Sequence, residues 1–231
     1  MHEDLHKKGF AVIEKVYDNG EVTALINAID TVDTSNPTFR KTNDLFAIRQ
    51  FFNEIPGIRP LIFTDKLKDA IRNLFGEDYF VVKSIYFDKP EQSNWFVAWH
   101  QDLTISVNKK IELAGYTSWT IKHNQFAVQP PVGILENNFT VRIHLDDTDE
   151  NNGALKVIQG SHQNGIRRLE DENISSQNQH VCRVGAGGIM IMRPLLFHAS
   201  NRTTNNKRRR VIHIEFSKAK LPAQINWSEV N

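Results

Sequence analysis

Phe80-Val81-Val82-Lys83-Ser84-Ile85-Tyr86-Phe87 is where the chain changes character. Upstream, apolar residues recur at helical spacing; from Phe80 onward they come in short runs rich in β-branched and aromatic residues, divided by Asn, Asp, Gly and Pro. Runs of this second kind continue at Phe139 to Leu145, Ala154 to Ile158, His180 to Val184, Gly188 to Met192 and Arg208 to Phe216. On the helical side, Asp18 and Glu21 have the spacing of a capping box, and Val22, Leu25, Ile26 and Ile29 fall on one face. Thr64 or Asp65 caps a second helix with the stripe Leu67, Ala70, Ile71 and Leu74, and Gly76 fits its end. Asp44 to Glu54 reads as a further helix that stops before Pro56. Helices followed by short strands predict a mainly β fold with N-terminal helices, a cupin-like jelly roll with a helical layer against one sheet. No repeat or break in composition divides it. Residues 1–231 read as a single domain, with a helical N-terminal part over about 1–78 and a jelly-roll core over about 80–217.

The 231 residues include 28 Lys plus Arg against 27 Asp plus Glu, a net charge of +1, which excludes a surface that tracks nucleic acid along its whole length. With Cys182 as the lone cysteine there is no internal disulfide and no multi-cysteine metal site, so a reducing, cytoplasmic setting is expected. The N-terminus mixes acidic and basic residues without the apolar run of a signal peptide. The longest apolar stretches, Gly188 to Met192 and Pro194 to Phe197, are interrupted by Arg193 and fall far short of the roughly 18 residues of a membrane helix. No membrane partner is expected.

The chemistry is concentrated in a few positions. In His100-Gln101-Asp102 the imidazole and the carboxylate leave an extended backbone on the same face and can share a metal. His198, between the apolar run that ends at Phe197 and the polar turn Ala199-Ser200-Asn201, is the best candidate for a third ligand. Two histidines and one carboxylate make the facial triad of non-haem Fe(II) oxygenases, which keeps coordination positions open for a co-substrate and O₂. A 2-oxoacid co-substrate needs a cation at its far carboxylate, and Arg209 follows His198 by eleven residues on the next strand. Its neighbours Arg208 and Arg210 share the opposite strand face, where a solvated charge run is the plain reading.

Around these positions the text resembles the phytanoyl-CoA dioxygenase family of Fe(II)- and 2-oxoglutarate-dependent oxygenases, which are built on a double-stranded β-helix. The matching blocks, in order, are Val82 to Lys89, Asn94-Trp95 through Trp99-His100-Gln101-Asp102-Leu103, Arg142 to Asp147, Asn152 to Ile158, Gly160-Ser161-His162, Arg193 to His198 and Arg208 to His213. The resemblance implies that His100, Asp102 and His198 hold Fe(II), and that Arg209 meets the C5 carboxylate of 2-oxoglutarate. It puts Lys83 where some members carry a second cation near the co-substrate, although a solvent-facing strand lysine is the other reading.

Asn94, Trp95, Arg142 and His144 are candidates for substrate contact. The alternatives are a loop role for Asn94, core packing for Trp95, and pairing of Arg142 and His144 with Asp146 or Asp147. Gln101 alternates away from the ligands and is suited to hold their surroundings, Gly153 reads as a turn glycine, and His123, His162, His180 and His213 read as extra imidazoles. The expected activity is hydroxylation of a small-molecule substrate with O₂, releasing succinate and CO₂. Halide-transferring relatives lack the carboxylate that Asp102 supplies. A nucleic-acid- or protein-modifying oxygenase and a non-catalytic jelly-roll binding protein stand as the alternatives.

Overall fold

The computed structural model describes residues 2–32, 39–42, 46–91, 93, 95–122, 125–168 and 179–229. In chain order its first elements are α1 (His2–Lys7), β1 (Phe10–Ile13), α2 (Asn19–Asp30), β2 (Phe39–Lys41), β3 (Phe46–Arg49), α3 (Phe51–Glu54), α4 (Arg59–Ile62) and α5 (Asp65–Phe75). Strands β4 (Phe80–Lys89), β5 (Val97–His100), β6 (Ile105–Val107), β7 (Thr117–Lys122) and β8 (Gln125–Gln129) follow, then α6 (Val132–Glu136) and β9 (Asn138–His144). The chain continues through β10 (Leu155–Ile158), β11 (Gln179–Val181), β12 (Ile189–Met192), β13 (His198–Ser200) and β14 (Arg209–Ser217).

Side-chain alternation builds the core. Strands β9, β14 and β4 lie side by side in the middle of a seven-stranded antiparallel sheet of order β1-β12-β9-β14-β4-β3-β2. Its outer face carries Phe139, Val141, Ile143, Ile212, Ile214 and Tyr86, which pack with Leu25 and Ile29 of α2 and Leu67 and Leu74 of α5. The two helices form where their caps dictate. Glu21 N–H donates to Asp18 Oδ1 at 2.9 Å while Asp18 N–H donates to Glu21 Oε2 at 2.8 Å, and Thr64 Oγ1 accepts from Leu67 N–H.

A four-stranded antiparallel sheet of order β11-β10-β13-β5 completes the jelly roll. It meets the first where Phe10, Met190 and Met192 pack with Leu155, Val157 and the buried Cys182. A third sheet, β6-β8-β7, lies in the stretch between Asp102 and β9 and buries Ile105, Val107 and Val128 with Trp227. None of the helices among the described residues is long and apolar enough to cross a membrane.

Two expectations are corrected. The segment 44–54 is not one helix: Phe46–Arg49 is a strand paired with β4, and Gln50, with φ of 50°, turns the chain before the short helix α3. Residues 44 and 45 lie outside the described residues. Burial of Ala47 and Ile48, with the half-buried Phe46 ring edge-on to Tyr86, outweighs helical propensity there. The N-terminal part is also less purely helical than its periodicity predicts, since β1, β2 and β3 supply both edges of the large sheet.

The C-terminal segment is tied to the sheet by a buried carboxylate. Glu229 accepts from Ser84 N–H at 3.0 Å and from the Ser84 hydroxyl, whose oxygen in turn accepts from Phe52 N–H at 3.0 Å. Glu229→Ala strips two buried donors of their acceptor and is expected to cost about 1–3 kcal/mol, read as a lower urea midpoint at unchanged slope.

Candidate metal centre

Strands β13 and β5 pair so that His198 lies directly opposite His100, and the register shifts immediately afterwards, between His198 and Ser200. Asp102 follows β5 and is held by its N–H to Pro194 O at 2.9 Å. Each imidazole is oriented from behind: His100 Nδ1–H donates to Ala98 O at 2.8 Å and His198 Nδ1–H to Leu196 O at 2.9 Å. Both Nε2 lone pairs are thereby left free.

His100 Nε2 is 3.8 Å from Asp102 Oδ1, and His198 Nε2 is 3.8 Å from Asp102 Oδ2. These separations are too long for hydrogen bonds and short enough for the groups to reach one ion. The three ligand atoms lie within 4.8 Å of one another, and Asp102 Oδ2 is buried without a hydrogen-bond partner among the described residues. A divalent cation is the partner this donor set fits.

Protonation agrees. Burial raises the Asp102 carboxyl, but the charges of His198, His213, Lys83 and His100 outweigh it and hold it at about 2. Burial pulls His198 down to about 4, so at neutral pH both are in their ligating forms.

The triad opens on a cavity of about 200 Å³ with an apolar wall of Phe87, Trp95, Val97 and Leu155. Arg209 lines it, buried, with Nη1 donating to Gly153 O and Nε without a partner among the described residues. The arginine triplet divides by strand parity. Arg208 pairs with Asp88 and Arg210 with Asp146, at 2.8 and 2.9 Å from their Nε atoms, while Arg209 has no ion-pair partner among the described residues. Burial, with Arg142 nearby, pulls Arg209 down to about 9, which leaves it cationic at neutral pH and suited to a carboxylate.

Other predicted residues sort clearly. Lys83 is not at the Arg209 end: its Nζ is 2.6 Å from Glu215 Oε1, so its charge is matched within the protein, and it does not line the cavity. Trp95 and Arg142 line the cavity. His144 is buried with Nδ1 at 2.8 Å from Thr148 Oγ1 and does not line it, and Asn94 lies outside the described residues, as does His123. Gln101 turns away from the metal site and donates to Leu195 O at 2.7 Å and Gly165 O at 2.9 Å, bracing the segment that orients His198.

Three residues were missed or underread. Lys89 faces Arg209 across the β4–β14 ladder, fully buried, with Nζ donating to Asn201 O. Its parity with Phe87 was visible in the sequence, but its partner on β14 was not. Gly153 is more than a turn residue: at φ of 86°, a Cβ there would lie 2.7 Å from Lys89 Nζ and 2.9 Å from Asn201 O. His213, two strand positions beyond Val211 on the Arg209 face, lines the cavity rather than standing apart.

A jelly roll with two histidines and one carboxylate converging beside a buried, acid-free arginine defines a non-haem Fe(II)- and 2-oxoglutarate-dependent oxygenase. The family model for phytanoyl-CoA dioxygenase matches residues 5–211, and the chain belongs to that family, whose oxygenase chemistry on small molecules it shares. Comparison with curated proteins returns no match.

Among solved structures, HygX from Streptomyces hygroscopicus with nickel and 2-oxoglutarate bound has TM-score 0.66 at 16% identity, over 94% of this chain and 87% of that one. AviO1 from Streptomyces viridochromogenes Tue57 has TM-score 0.67 at 16% identity, over 96% and 95%. SnoK, a non-haem α-ketoglutarate-dependent carbocyclase from nogalamycin biosynthesis, has TM-score 0.67 at 14% identity, over 99% and 85%. All three share the fold.

Burial, then the Arg209 charge, pulls the Lys89 amine from 10.5 down to about 7. Between those values the unfolded chain binds a proton that the native chain does not, so this group makes stability rise with pH across about 7 to 10.5. In Lys89→Met that rise should flatten relative to wild type, measured as urea-unfolding free energy against pH.

Proposed function

We propose that this chain hydroxylates an aliphatic carbon of a small molecule, with His100, Asp102 and His198 as the iron ligands and Arg209 as the anchor for the far carboxylate of 2-oxoglutarate. The observation that carries the reading is the joint placement, in one cavity, of three converging ligand atoms and a buried arginine with no acid partner among the described residues. Bound there, Fe(II) and 2-oxoglutarate supply the activation of O₂, with release of CO₂ and succinate.

The protein's part is geometry and exclusion. The carbonyls of Ala98 and Leu196 fix both imidazoles by their Nδ1–H groups, and the carboxylate of Asp102 would take the third protein ligand position. Occupation of that position by Asp102 favours hydroxyl over halide transfer. Arg209 presents its fork while Gly153 O holds Nη1, and the absence of a Cβ at Gly153 lets Lys89 and Asn201 close behind it. Phe87, Trp95 and Leu155 keep the reacting carbon in a dry pocket, and Trp95 supplies a wall for the substrate.

The cavity's size and the pairing of Arg208 and Arg210 with acids favour a small substrate over nucleic acid. HygX, with nickel and 2-oxoglutarate in a similar fold, supports a metal and co-substrate in this barrel. The lone cysteine supports a reducing, cytoplasmic setting.

Anaerobic addition of Fe(II) and 2-oxoglutarate should give a visible metal-to-ligand charge-transfer band. His198→Ala should lose the band through loss of metal, whereas Arg209→Met should keep the metal and require at least tenfold more 2-oxoglutarate to reach it. A folded, metal-loaded wild type without the band overturns the assignment.

A further inference from the structure

The cup carries buried positive charge at two places, and a co-substrate anchored at Arg209 accounts for one of them. Alternate residues of β14, from Arg209 through Val211 and His213 to Glu215, share the inner face, so Arg209 and His213 are four residues, or about 13 Å of strand, apart. The ladders set Lys89 beside Arg209 and Arg142 beside His213. Near this second place Glu215 is taken by Lys83 at 2.6 Å, and Asp102 belongs to the triad.

Arg142 is 7% exposed and lines the cavity. Its Nη1 contacts His213 Nδ1 at 3.0 Å, and His213 Nε2 faces Glu215 Oε1 at 3.2 Å. The imidazole hydrogen therefore sits on Nε2, and Nδ1 accepts from the guanidinium. His213 steers Arg142 without cancelling its charge. Nε of Arg142 is buried and has no hydrogen-bond partner among the described residues, so this donor is unsatisfied in the ligand-free chain. Burial lowers Arg142 to about 10, which still leaves it charged at neutral pH. A buried guanidinium held by a neutral acceptor and facing a cavity is a receptor for a planar oxyanion.

We propose that Arg142 binds a carboxylate of the substrate, so that the substrate is a small organic acid held at the His213 end of the cup with its reactive carbon toward the triad. This rests on the oxygenase reading above. Asp102 and the near carboxylate of 2-oxoglutarate would then offset the divalent metal, the far carboxylate would offset Arg209, and the substrate would offset Arg142.

The test uses protein loaded with nickel(II) and 2-oxoglutarate, with propionate as the probe and propionamide as its uncharged match, at ionic strength held constant with sodium chloride. Wild type should show a saturable rise in Tm with propionate, about 3 °C at ten times its dissociation constant, and none with propionamide. Arg142→Met should lose the response and Arg142→Lys should keep a weaker one. By calorimetry, Arg142→Met should bind 2-oxoglutarate within twofold of wild type, whereas Arg209→Met should bind it at least tenfold more weakly.

Equal responses of wild type and Arg142→Met, no saturable response, or a response to inorganic phosphate in place of propionate overturns the inference. A loss of 2-oxoglutarate affinity in Arg142→Met as large as that in Arg209→Met assigns the arginine to the co-substrate and also overturns it. A wild type that binds neither nickel nor 2-oxoglutarate overturns the oxygenase reading and this inference with it, whereas normal 2-oxoglutarate binding without a propionate response overturns this inference alone.

Discussion

The pairing of β13 with β5 in the register that sets His198 opposite His100 is the constraint on which the site depends. A slip of one residue in an antiparallel ladder turns every side chain to the other face, and here it would send one imidazole out of the cavity. The register is fixed from both sides. On β10, Val157 pairs with His198 and is fully buried, and beyond β5 the N–H of Asp102 is bonded to Pro194 O. Apolar burial in the four-stranded sheet thus sets the distance between two metal-ligating nitrogens. The bulge after His198 then frees Ser200 to bond Gly153 O, the carbonyl that also steadies Arg209.

Charge is organised by the same alternation. Three consecutive arginines where β14 begins have opposite fates, because alternation sends Arg208, just before the strand, and Arg210 to acids, while Arg209 turns into the cup. Inside, the acids are committed: Asp102 to the histidines and Glu215 to Lys83. What remains is positive, and burial makes it costly in the ligand-free chain, which prepares the cavity for anions. The stored penalty becomes binding selectivity.

Much of this was legible in the sequence. The capped helices at Asp18 and Thr64 follow from local chemistry, and six strands from Phe80 onward, β4, β9, β10, β11, β12 and β14, were located by period and punctuation with ends displaced by up to three residues, whereas the short strands β5, β6, β7, β8 and β13 carry too little pattern of their own to be read. The triad was legible because His100 and Asp102 are near neighbours and His198 ends an apolar run. What escaped depends on pairing across long sequence separation. Phe46 to Arg49 has no strand signature strong enough to beat a helical one until β4 is beside it. Lys83 and Lys89 share a face of one strand, and nothing local tells which has an acid opposite; the register does, by giving Lys83 Glu215 and Lys89 Arg209. His213 looked like one imidazole among several for the same reason, since its meaning comes from Arg142, 71 residues away.

The sheet order places β14 between β9 and β4. The last strand in chain order among the described residues therefore fills the middle of the large sheet, not an edge. On a ribosome, β4 and β9 emerge well before the strand that joins them, and until it arrives each presents an unpaired ladder and a half-built apolar face. Arg209 and His213 travel on that strand. Synthesis thus delivers the central wall of the cup, Arg209, and the imidazole that steers Arg142 in a single late event, so a nascent chain lacks the co-substrate anchor until the fold closes around it.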